Sequence, residues 1–518
     1  MKPASLSPVF HKLRAQRQPK GSPNWHFPLR RAQGLERHFP FSICHFPFLL
    51  PLLPLLHPLR GTQVIKPLSD LRTLGSPKRH FPSSIFHFPF LFLFASIASH
   101  AANWPAWRGP LGNGISEEKN LPIHWSATEN VKWRVALPEP GNSTPIVWGD
   151  RIFLTQAVDE RRTLMCFQRS DGALLWQSGV TTAEKEPTHP ANPYCSGSPV
   201  TDGERIIVSF ASDGLYCYDF NGKELWKRTD LGRAIHIWGN ASSPVIYGDL
   251  CFLNFGPGET SYLLAVDKKT GRTVWKKTED TGYGKPPVAE AGAENPAPPA
   301  GHPAKRADNP TFIGSWTTPT LMKVEGRDQL LMSWPRRLAS YDPQTGEELW
   351  HSFGLNPLVY TSPIGADGIV VAMGGFNGSA FGVRAGGSGD VTSSRGLWRQ
   401  PRSPQRIGSG VVHAGRIYIH NDPGVAMCID LQTGGIVWQE RLPAKAPTGQ
   451  NWSSVMLSED NCYTITQGGD CFIFKASPKF ELVSVNSLGE RSNSSIVPSD
   501  GELFIRTYKA LYCIAEKR

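Results

Sequence analysis

Beyond about residue 104, short apolar stretches alternate with turn residues in a repeating order. Each unit starts with a small residue, often in Ser-x-Pro, and continues through apolar runs separated by Gly-Asp type turns. It closes on a tail of the form Leu-x-Cys/Ala-x-Asp-x-x-Thr-Gly-x-x-x-Trp. Short runs rich in β-branched and aromatic residues, bounded by turn residues, are typical of β-strands. The pattern therefore predicts an all-β protein built from repeats.

The tail of the unit is clearest in five copies. They read CFQRSDGALLW (166–176), CYDFNGKELW (217–226), AVDKKTGRTVW (265–275), SYDPQTGEELW (340–350) and CIDLQTGGIVW (428–438). Asp-x-x-Thr-Gly and Asn-Gly form tight turns in which glycine tolerates a positive φ, and the tryptophan that follows is a large apolar group. We expect such tryptophans to pack between neighbouring repeats, at Trp133, Trp176, Trp226, Trp275, Trp350, Trp398 and Trp438.

The repeats can be counted from their starts. Eight starts align, at Pro145, Pro199, Pro244, Pro319, Pro363, Gly410, Val455 and Ile496. Each unit spans about 40 to 50 residues and holds four β runs, which is the period of a propeller blade and not of a helical solenoid. The sequence thus predicts an eight-bladed β-propeller.

The two ends of the repeat array complement each other. The eighth unit stops at its third strand, whereas VKWRVAL (131–137) is an unassigned strand before the first start. If this N-terminal strand becomes the outer strand of the last blade, the ring closes without an open sheet edge between its first and last blades. We therefore expect the propeller to be closed by its N-terminal strand.

The repeat tail resembles the tryptophan-docking motif of PQQ-repeat propellers, the quinoprotein-like and BamB-like family. The resemblance covers about residues 104–518. That superfamily includes quinoprotein dehydrogenases and the BamB propeller of the outer-membrane barrel-assembly machinery, so the resemblance implies the fold and leaves the activity open. A BamB-like role would imply a lipid anchor, but no cysteine stands at the cleavage point proposed below.

Residues 1–101 differ from the rest of the chain. RHFPFSICHFPFL (37–49) is nearly repeated as RHFPSSIFHFPFL (79–91), and prolines inside both apolar stretches argue against a membrane helix. The second copy leads into an apolar stretch that ends at Ser99-His100-Ala101, a pattern typical of a signal peptide. We expect a signal peptide at 81–101, cleaved after Ala101. Residues 1–80 are then non-native upstream sequence or, alternatively, a disordered extension.

The charge of the chain is concentrated in that N-terminal part. The formal net charge is +10, but residues 1–101 hold 13 basic residues against Glu36 and Asp70, which leaves 41 basic and 42 acidic residues beyond them. A near-neutral body lacks the basic surface that nucleic-acid binding requires.

No run of about 18 apolar residues follows Ala102, so we expect no membrane span there. We expect an exported monomer, periplasmic or extracellular.

The long connections between blades are the places where function is expected, because they share one face of a propeller. Two of them, THPANPYCSGSP (188–199) and AIHIWGNASSP (234–244), bring aromatic and imidazole groups to the start of a blade. We expect a ligand pocket on this loop face, formed by His189, Tyr194, His236, Trp238, Asn240, Trp316, Arg406 and Trp452. The alternative is that these side chains only satisfy backbone groups and fill the top of the channel.

Two further features bear on the site. Residues 281–311 form a Pro/Ala-rich insertion between the third and fourth blades, within a propeller that otherwise covers 102–518. Four cysteines recur at one equivalent blade position, which predicts buried free thiols, namely Cys166, Cys217, Cys428 and Cys513. Cys462 and Cys471 flank a short connection and form the only pair that suggests a disulfide. Cys195 differs from the others because it lies in a connection.

Three functions remain open at this point. The first is a non-catalytic binding or scaffold module for a protein or polysaccharide, which needs no cofactor and no metal site. The second is a PQQ-dependent dehydrogenase with calcium; the sequence lacks an adjacent Cys-Cys pair, a C-x-x-C-H haem site and an Asp/Glu cluster in the long loops. The third is hydrolytic or lyase chemistry using His189 and His236, for which no accompanying motif specifies a reaction. The sequence contains no H-x-x-H metal spacing. We expect no catalytic residues and favour the first function.

Overall fold

The structure is a computed structural model, and it describes residues 102–285, 312–376, 378–402, 406–445 and 450–516. These residues belong to the compact unit Phe94–Arg518. The predicted signal peptide, the segment before it and most of the Pro/Ala-rich insertion lie outside the described residues. The described residues form eight main sheets, one for each predicted repeat, and the fold is an eight-bladed β-propeller.

The strands follow the predicted repeats closely. Two strands precede the first blade, β1 (Ile115–Ser116) and β2 (Val131–Ala136). Blade 1 consists of β3 (Ile146–Trp148), β4 (Arg151–Val158), β5 (Arg161–Gln168) and β6 (Leu174–Thr181). Blade 2 consists of β7 (Val200–Thr201), β8 (Arg205–Ser209), β9 (Leu215–Asp219) and β10 (Glu224–Arg228), with a 3-10 turn at Ala211–Asp213. Blade 3 consists of β11 (Val245–Tyr247), β12 (Leu250–Phe255), β13 (Tyr262–Asp267) and β14 (Thr273–Thr278).

The middle blades carry small additions to the four-stranded plan. β15 (Gly314–Ser315) comes before blade 4, which consists of β16 (Thr320–Val324), β17 (Arg327–Trp334), β18 (Arg337–Tyr341) and β19 (Glu348–Phe353). β20 (Leu358–Val359) pairs in parallel with β15. Blade 5 consists of β21 (Ile364–Ala366), β22 (Ile369–Met373), β23 (Ala380–Arg384) and β25 (Gly396–Gln400). β24 (Gly389–Asp390) runs parallel to the outer strand β19 of blade 4.

The last three blades return to the simple plan. Blade 6 consists of β26 (Val411–His413), β27 (Arg416–Asn421), β28 (Val425–Asp430) and β29 (Ile436–Arg441). Blade 7 consists of β30 (Met456–Ser458), β31 (Asn461–Ile465), β32 (Asp470–Lys475) and β33 (Leu482–Ser487). Blade 8 takes β34 (Val497–Ser499), β35 (Glu502–Arg506) and β36 (Ala510–Ile514) from the C-terminal end of the chain. In all eight blades the first strand begins one residue after the predicted start.

The two ends of the described chain meet in blade 8. β2 pairs antiparallel with β36, with Val135 opposite Leu511, and the sheet order is β2-β36-β35-β34. The outer strand of this blade therefore comes from the N-terminal part of the chain. This pairing provides hydrogen-bond partners for backbone groups of β36 that would otherwise be unpaired at an open sheet edge.

Six of the seven predicted tryptophans donate their indole N–H to a backbone carbonyl in the tail of a neighbouring blade. The acceptors of Trp133, Trp176, Trp226, Trp275, Trp398 and Trp438 are Arg169, Phe220, Lys268, Pro343, Leu431 and Ser477, at 2.9 to 3.0 Å. In five of these tails a glycine lies under the indole; at Gly346, with φ +69°, a Cβ would stand 2.6 Å from the Trp275 ring. The glycine is needed both for its backbone conformation and for the space that the tryptophan fills.

Trp350 behaves differently from the other six. Its indole N–H donates to Gln329 Oε1 within its own blade, at 2.8 Å. The ring still belongs to a buried cluster that includes Val370 and Phe381 of blade 5. Blade 5 has no Asp-x-x-Thr-Gly turn, so the usual carbonyl acceptor is replaced, and β24 instead pairs with Trp350 along the strand edge.

A ring of side-chain hydroxyls surrounds the central channel. The residue before each predicted start donates its backbone N–H to the hydroxyl oxygen of the equivalent residue in the next blade, at 2.9 to 3.1 Å. The series runs through Thr144, Ser198, Ser243, Thr318, Ser362, Ser409, Ser454 and Ser495, and returns to Thr144. The small residues at the starts thus have a common role, because each links two blades at the innermost strand.

The N-terminal arm, residues 102–118, lies across the channel. Trp104 exchanges two backbone hydrogen bonds of 2.9 Å with Val147 on the inner strand of blade 1. β1 of the same arm pairs in parallel with β30, the inner strand of blade 7. The sequence pattern did not predict this arm, since its residues carry no repeat motif.

Arg108 anchors the arm from inside the protein. Its guanidinium donates to the carbonyl oxygens of Ser409 (3.2 Å), Gly410 (2.5 Å), Val455 (3.2 Å) and Asn113 (2.7 Å). Burial lowers the pKa of Arg108 to about 9, so the side chain remains charged at neutral pH. Four carbonyl acceptors compensate for the loss of water around a buried cation.

The cysteine predictions can be checked in the same structure. The eight cysteines among the described residues are all buried free thiols. Cys462 lies opposite Phe474 and Cys471 lies opposite Ile465, so the two thiols occupy different positions along the hairpin and no disulfide joins them. Desolvation raises the pKa of Cys195 to about 12, which keeps this thiol protonated at neutral pH.

Candidate functional site

We call the connection that runs into the inner strand of a blade its lead-in segment. The lead-in segments of blade 2 (182–199) and blade 3 (229–244) lie side by side on the loop face. Between them is a cavity of about 30 Å³, lined among others by Arg162, Glu186, Thr188, Tyr194, Asn240 and Ser242. This volume holds about one or two water-sized groups.

Tyr194 and Arg162 form one wall of the cavity. Arg162, on β5 of blade 1, places its guanidinium carbon 3.8 Å from the centre of the Tyr194 ring. The Tyr194 hydroxyl donates to the backbone carbonyl of Glu186 at 2.5 Å. Asp213 approaches Arg162 at 3.7 Å, Oδ2 to Nε. A stacked and ion-paired arginine keeps its remaining N–H groups in fixed directions.

Three residues that line this cavity each carry a buried polar side-chain atom with no hydrogen-bond partner among the described residues. These atoms are Arg162 Nη1, Glu186 Oε1 and Ser242 Oγ. Arg162 is 4% exposed and Ser242 is 6% exposed, so neither is well placed to be satisfied by bulk water. Burial raises the pKa of the Glu186 carboxyl; the interaction with Ser212 and the Arg162 charge oppose that shift, and the Asp213 charge adds to it. The cavity therefore combines a cationic donor, a carboxyl acceptor and a hydroxyl.

Four of the eight predicted residues meet at or beside this cavity. Tyr194 and Asn240 line it. The rings of His189 and Trp238 stack next to it with their centroids 4.0 Å apart. Asn192 joins the two lead-in segments, since its side-chain amide donates to the carbonyls of Trp238 (2.6 Å) and Asn240 (3.2 Å).

The two predicted histidines have local structural partners. Nδ1 of His189 accepts the backbone N–H of Ala191 at 3.2 Å, and Nδ1 of His236 accepts that of Trp238 at 3.1 Å. His236 is buried and packs edge-on against Trp316, with centroids 4.8 Å apart. Both imidazoles thus accept a hydrogen bond from the backbone of their own loop.

Trp316 and His236 form a second cluster beside the cavity. The Trp316 indole N–H donates to the carbonyl of Gly239 at 2.8 Å. Its ring also packs against Tyr360, with centroids 5.3 Å apart. This cluster contacts the lead-in segment of blade 3 through Gly239 and His236. Neither Trp316 nor His236 lines the cavity.

Arg406 and Trp452 lie at the lead-in segments of other blades. Arg406 is fully buried, and its backbone N–H donates to Gly375 at 3.4 Å. Burial lowers the pKa of Arg406 to about 10. Trp452 stands near Asp422, whose pKa is raised to about 6 by burial. The eight predicted residues therefore do not form one pocket.

Sequence reasoning missed the groups that give the cavity its polarity. Arg162 is a charged residue in the strand RRTLMCFQ, and a charge within a predicted strand was the only local signal available. Glu186 and Ser242 belong to lead-in segments in which many polar residues occur. In the part of the chain that the structure describes, no group of three or more His, Cys, Asp or Glu side chains is arranged to hold a metal ion. The same part contains no helix long and apolar enough to span a membrane.

The sequence matches the family described as outer membrane protein assembly factor BamB, in three overlapping stretches at residues 116–293, 160–440 and 336–468. Together these stretches cover more than half of the chain. No curated protein matches it.

Several solved structures resemble the chain in fold. BamB from Moraxella catarrhalis is 12% identical with a TM-score of 0.50, and the match covers 74% of this chain and 97% of that one. A europium-containing methanol dehydrogenase is 12% identical with a TM-score of 0.56, over 79% and 90%. A quinohemoprotein alcohol dehydrogenase from Comamonas testosteroni is 12% identical with a TM-score of 0.57, over 80% and 81%. At this identity the likenesses show the fold alone.

Proposed function

This chain belongs to the BamB family of PQQ-repeat propellers, and we propose that it is an exported, non-catalytic binding module that holds a protein or polysaccharide partner on its loop face. The observation that carries the proposal is the polar cavity between the lead-in segments of blades 2 and 3. In protein binding sites a few placed polar groups fix the orientation of a ligand.

The shape of the channel directs binding to the same face. The N-terminal arm contacts the inner strands of blades 1 and 7. Ser499 on the inner strand of blade 8 also donates its hydroxyl to Ala102 at 2.6 Å. Because the arm lies across the inner strands, the long lead-in segments provide the larger surface on which a partner can be held.

A PQQ-dependent oxidoreductase is the second candidate, because two of the similar folds are dehydrogenases. The described residues do not fit a calcium-held quinone, since they place no cluster of three or more carboxylate, imidazole or thiol ligands together. Arg506, near the channel, donates to the carbonyls of Ser143 (3.2 Å) and Thr155 (3.1 Å) and to Gln156 Oε1 (2.6 Å). Its two terminal nitrogens thus already donate to acceptors of the protein.

The deciding experiment is a calorimetric titration of PQQ with calcium into the full chain, followed by a melting curve of the mixture. Absence of heat and an unchanged melting temperature support a binding module without this cofactor. Saturable binding at about micromolar concentration, worth about 8 kcal/mol, would overturn the proposal in favour of a dehydrogenase.

Export has its own test. Expression in a host with a periplasm, followed by N-terminal sequencing of the protein recovered from that compartment, should show a mature chain that begins at Ala102. Recovery of an unprocessed chain from the cytoplasm alone would contradict export. This result does not depend on the nature of the partner.

A further inference from the structure

We infer that the cavity between the lead-in segments of blades 2 and 3 binds a hydroxyl group of a neutral sugar or polyol. The inference deepens the proposed function, because it assigns a ligand chemistry to the loop face. It rests on three residues that line the cavity and carry polar side-chain atoms without a partner in the described part of the chain, namely Arg162 Nη1, Glu186 Oε1 and Ser242 Oγ.

The charges of these groups select the ligand. An anion would pair with Arg162 but would lie beside the carboxylate of Glu186 and close to that of Asp213, which already approaches Arg162 at 3.7 Å. A cation would pair with Glu186 but would lie beside the buried guanidinium. Like charges in a poorly solvated site repel strongly. A neutral group that both accepts and donates a hydrogen bond satisfies Arg162 and Glu186 at once, and an alcohol hydroxyl does so with one atom.

The size of the cavity agrees with a single such group. About 30 Å³ admits a hydroxyl or hydroxymethyl group and not a whole sugar ring. The remainder of the ligand must lie at the opening. Thr188 and Gly239 line the cavity, and their sequence neighbours His189 and Trp238 form the partly exposed stacked pair beside it. An aromatic surface of this kind suits the apolar face of a sugar ring.

The polar groups are held in place before any ligand arrives. The Tyr194 hydroxyl fixes the Glu186 backbone, and the Tyr194 ring supports the Arg162 guanidinium. Thr188 Oγ1 donates to the carbonyl of Asn192, which keeps the lead-in segment of blade 2 closed on itself. Preorganised groups of this kind lower the entropy that binding must overcome.

The test titrates glycerol and methyl α-D-glucopyranoside separately into the full chain near pH 8, with tryptophan fluorescence and calorimetry as readouts. We expect saturable binding of the glucoside with a dissociation constant of about 1 mM. Ser242→Ala should weaken it about fivefold, as expected for one lost hydrogen bond. Ser333→Ala is the matched control, because the Ser333 hydroxyl is also buried without a partner among the described residues but lies outside the cavity lining.

A second variant separates a hydroxyl site from an anion site. Acetate should not bind to the original protein, because Glu186 repels it. Glu186→Gln removes one of the two nearby carboxylates while keeping the shape of the side chain, so acetate should bind more tightly than to the original protein while the glucoside binds less tightly. A site that takes acetate in the original protein, or that takes neither polyol at concentrations far above 1 mM, overturns the inference.

The outcome is distinguishable from a failure of the proposed function. If neither polyol binds and PQQ does not bind either, the proposed function stands as a propeller that holds a protein partner. Saturable PQQ binding removes the binding-module proposal whatever the sugars do. Binding of acetamide in preference to both polyols would also overturn the inference, because it would assign the cavity to an amide side chain of a protein.

Discussion

The backbone N–H of Ser495 donates to the Thr144 hydroxyl oxygen at 3.1 Å. This bond joins the inner strand of the last blade to that of the first, and it completes the series of eight hydroxyls around the channel. Because the pairing of β2 with β36 closes the same blade at its outer edge, the seam of the ring is held at both its inner and outer sides. The two contacts involve residues far apart in the sequence.

Replacing Thr144 should show how much the inner bond contributes. Thr144→Val keeps the shape but removes the acceptor and leaves the Ser495 N–H buried, which should lower the free energy of unfolding by about 1 to 3 kcal/mol. Thr144→Ser retains the hydroxyl and should lose about 1 kcal/mol at most, for one buried methyl group. Urea unfolding of both variants checks this. Equal midpoints for Val and Ser would mean that the hydroxyl is unimportant.

Gly346 tests the packing of the docking tryptophans. In Gly346→Ala the new methyl group would stand 2.6 Å from the Trp275 ring, at a φ of +69°. Gly326→Ala is a matched control in the same blade, with φ +82° and no atom within 4 Å of the new Cβ. We expect about 1 kcal/mol of destabilisation for Gly326→Ala, from backbone strain alone. Gly346→Ala should lose about 1 to 3 kcal/mol more through overpacking, and calorimetric melting compares the two.

Arg108 should determine whether the N-terminal arm stays in the channel. Arg108→Met removes the donors to four carbonyl oxygens and should cost about 3 kcal/mol or more. Amide hydrogen exchange at Ile115 and Ser116 should become faster while the outer blade strands keep their protection. Arg134→Met is the control, since its exposed ion pair with Glu490 at 2.7 Å should contribute about 1 kcal/mol or less. Unchanged exchange in Arg108→Met would contradict an anchoring role.

Asp422 makes a prediction about pH. Its pKa is raised by burial from 3.8 to about 6, so the folded protein holds this proton more tightly than the unfolded chain. The stabilisation is complete below about pH 4 and is lost as the pH rises through about 6. Asp422→Asn should therefore raise the free energy of unfolding at pH 8, by about 1 to 3 kcal/mol, and should change it little at pH 4. Urea titrations at both pH values measure the difference, and an equal effect at both would contradict the assignment.

The blade pattern could be predicted because it is encoded locally. A tail such as SYDPQTGEELW contains the turn, the glycine and the tryptophan within a few residues, and these residues adopt their roles largely whatever surrounds them. Trp350 shows where this reasoning stops. Its own tail is a strong copy, but its hydrogen bond depends on the next blade, which lacks the matching turn.

The features of the candidate site likewise fall into those that local sequence determines and those that depend on tertiary structure. The sequence by itself determined the eight blades, the strand starts and the lead-in segments that carry Tyr194 and Asn240, because hydrophobic periodicity and turn chemistry act over short distances. Only the tertiary structure decided that Arg162 from a blade strand, Glu186 from one lead-in segment and Ser242 from the next line a single cavity. The same holds for the arm that places Arg108 inside the channel. Such meetings depend on how the ring brings separate segments together, and no local pattern records that arrangement.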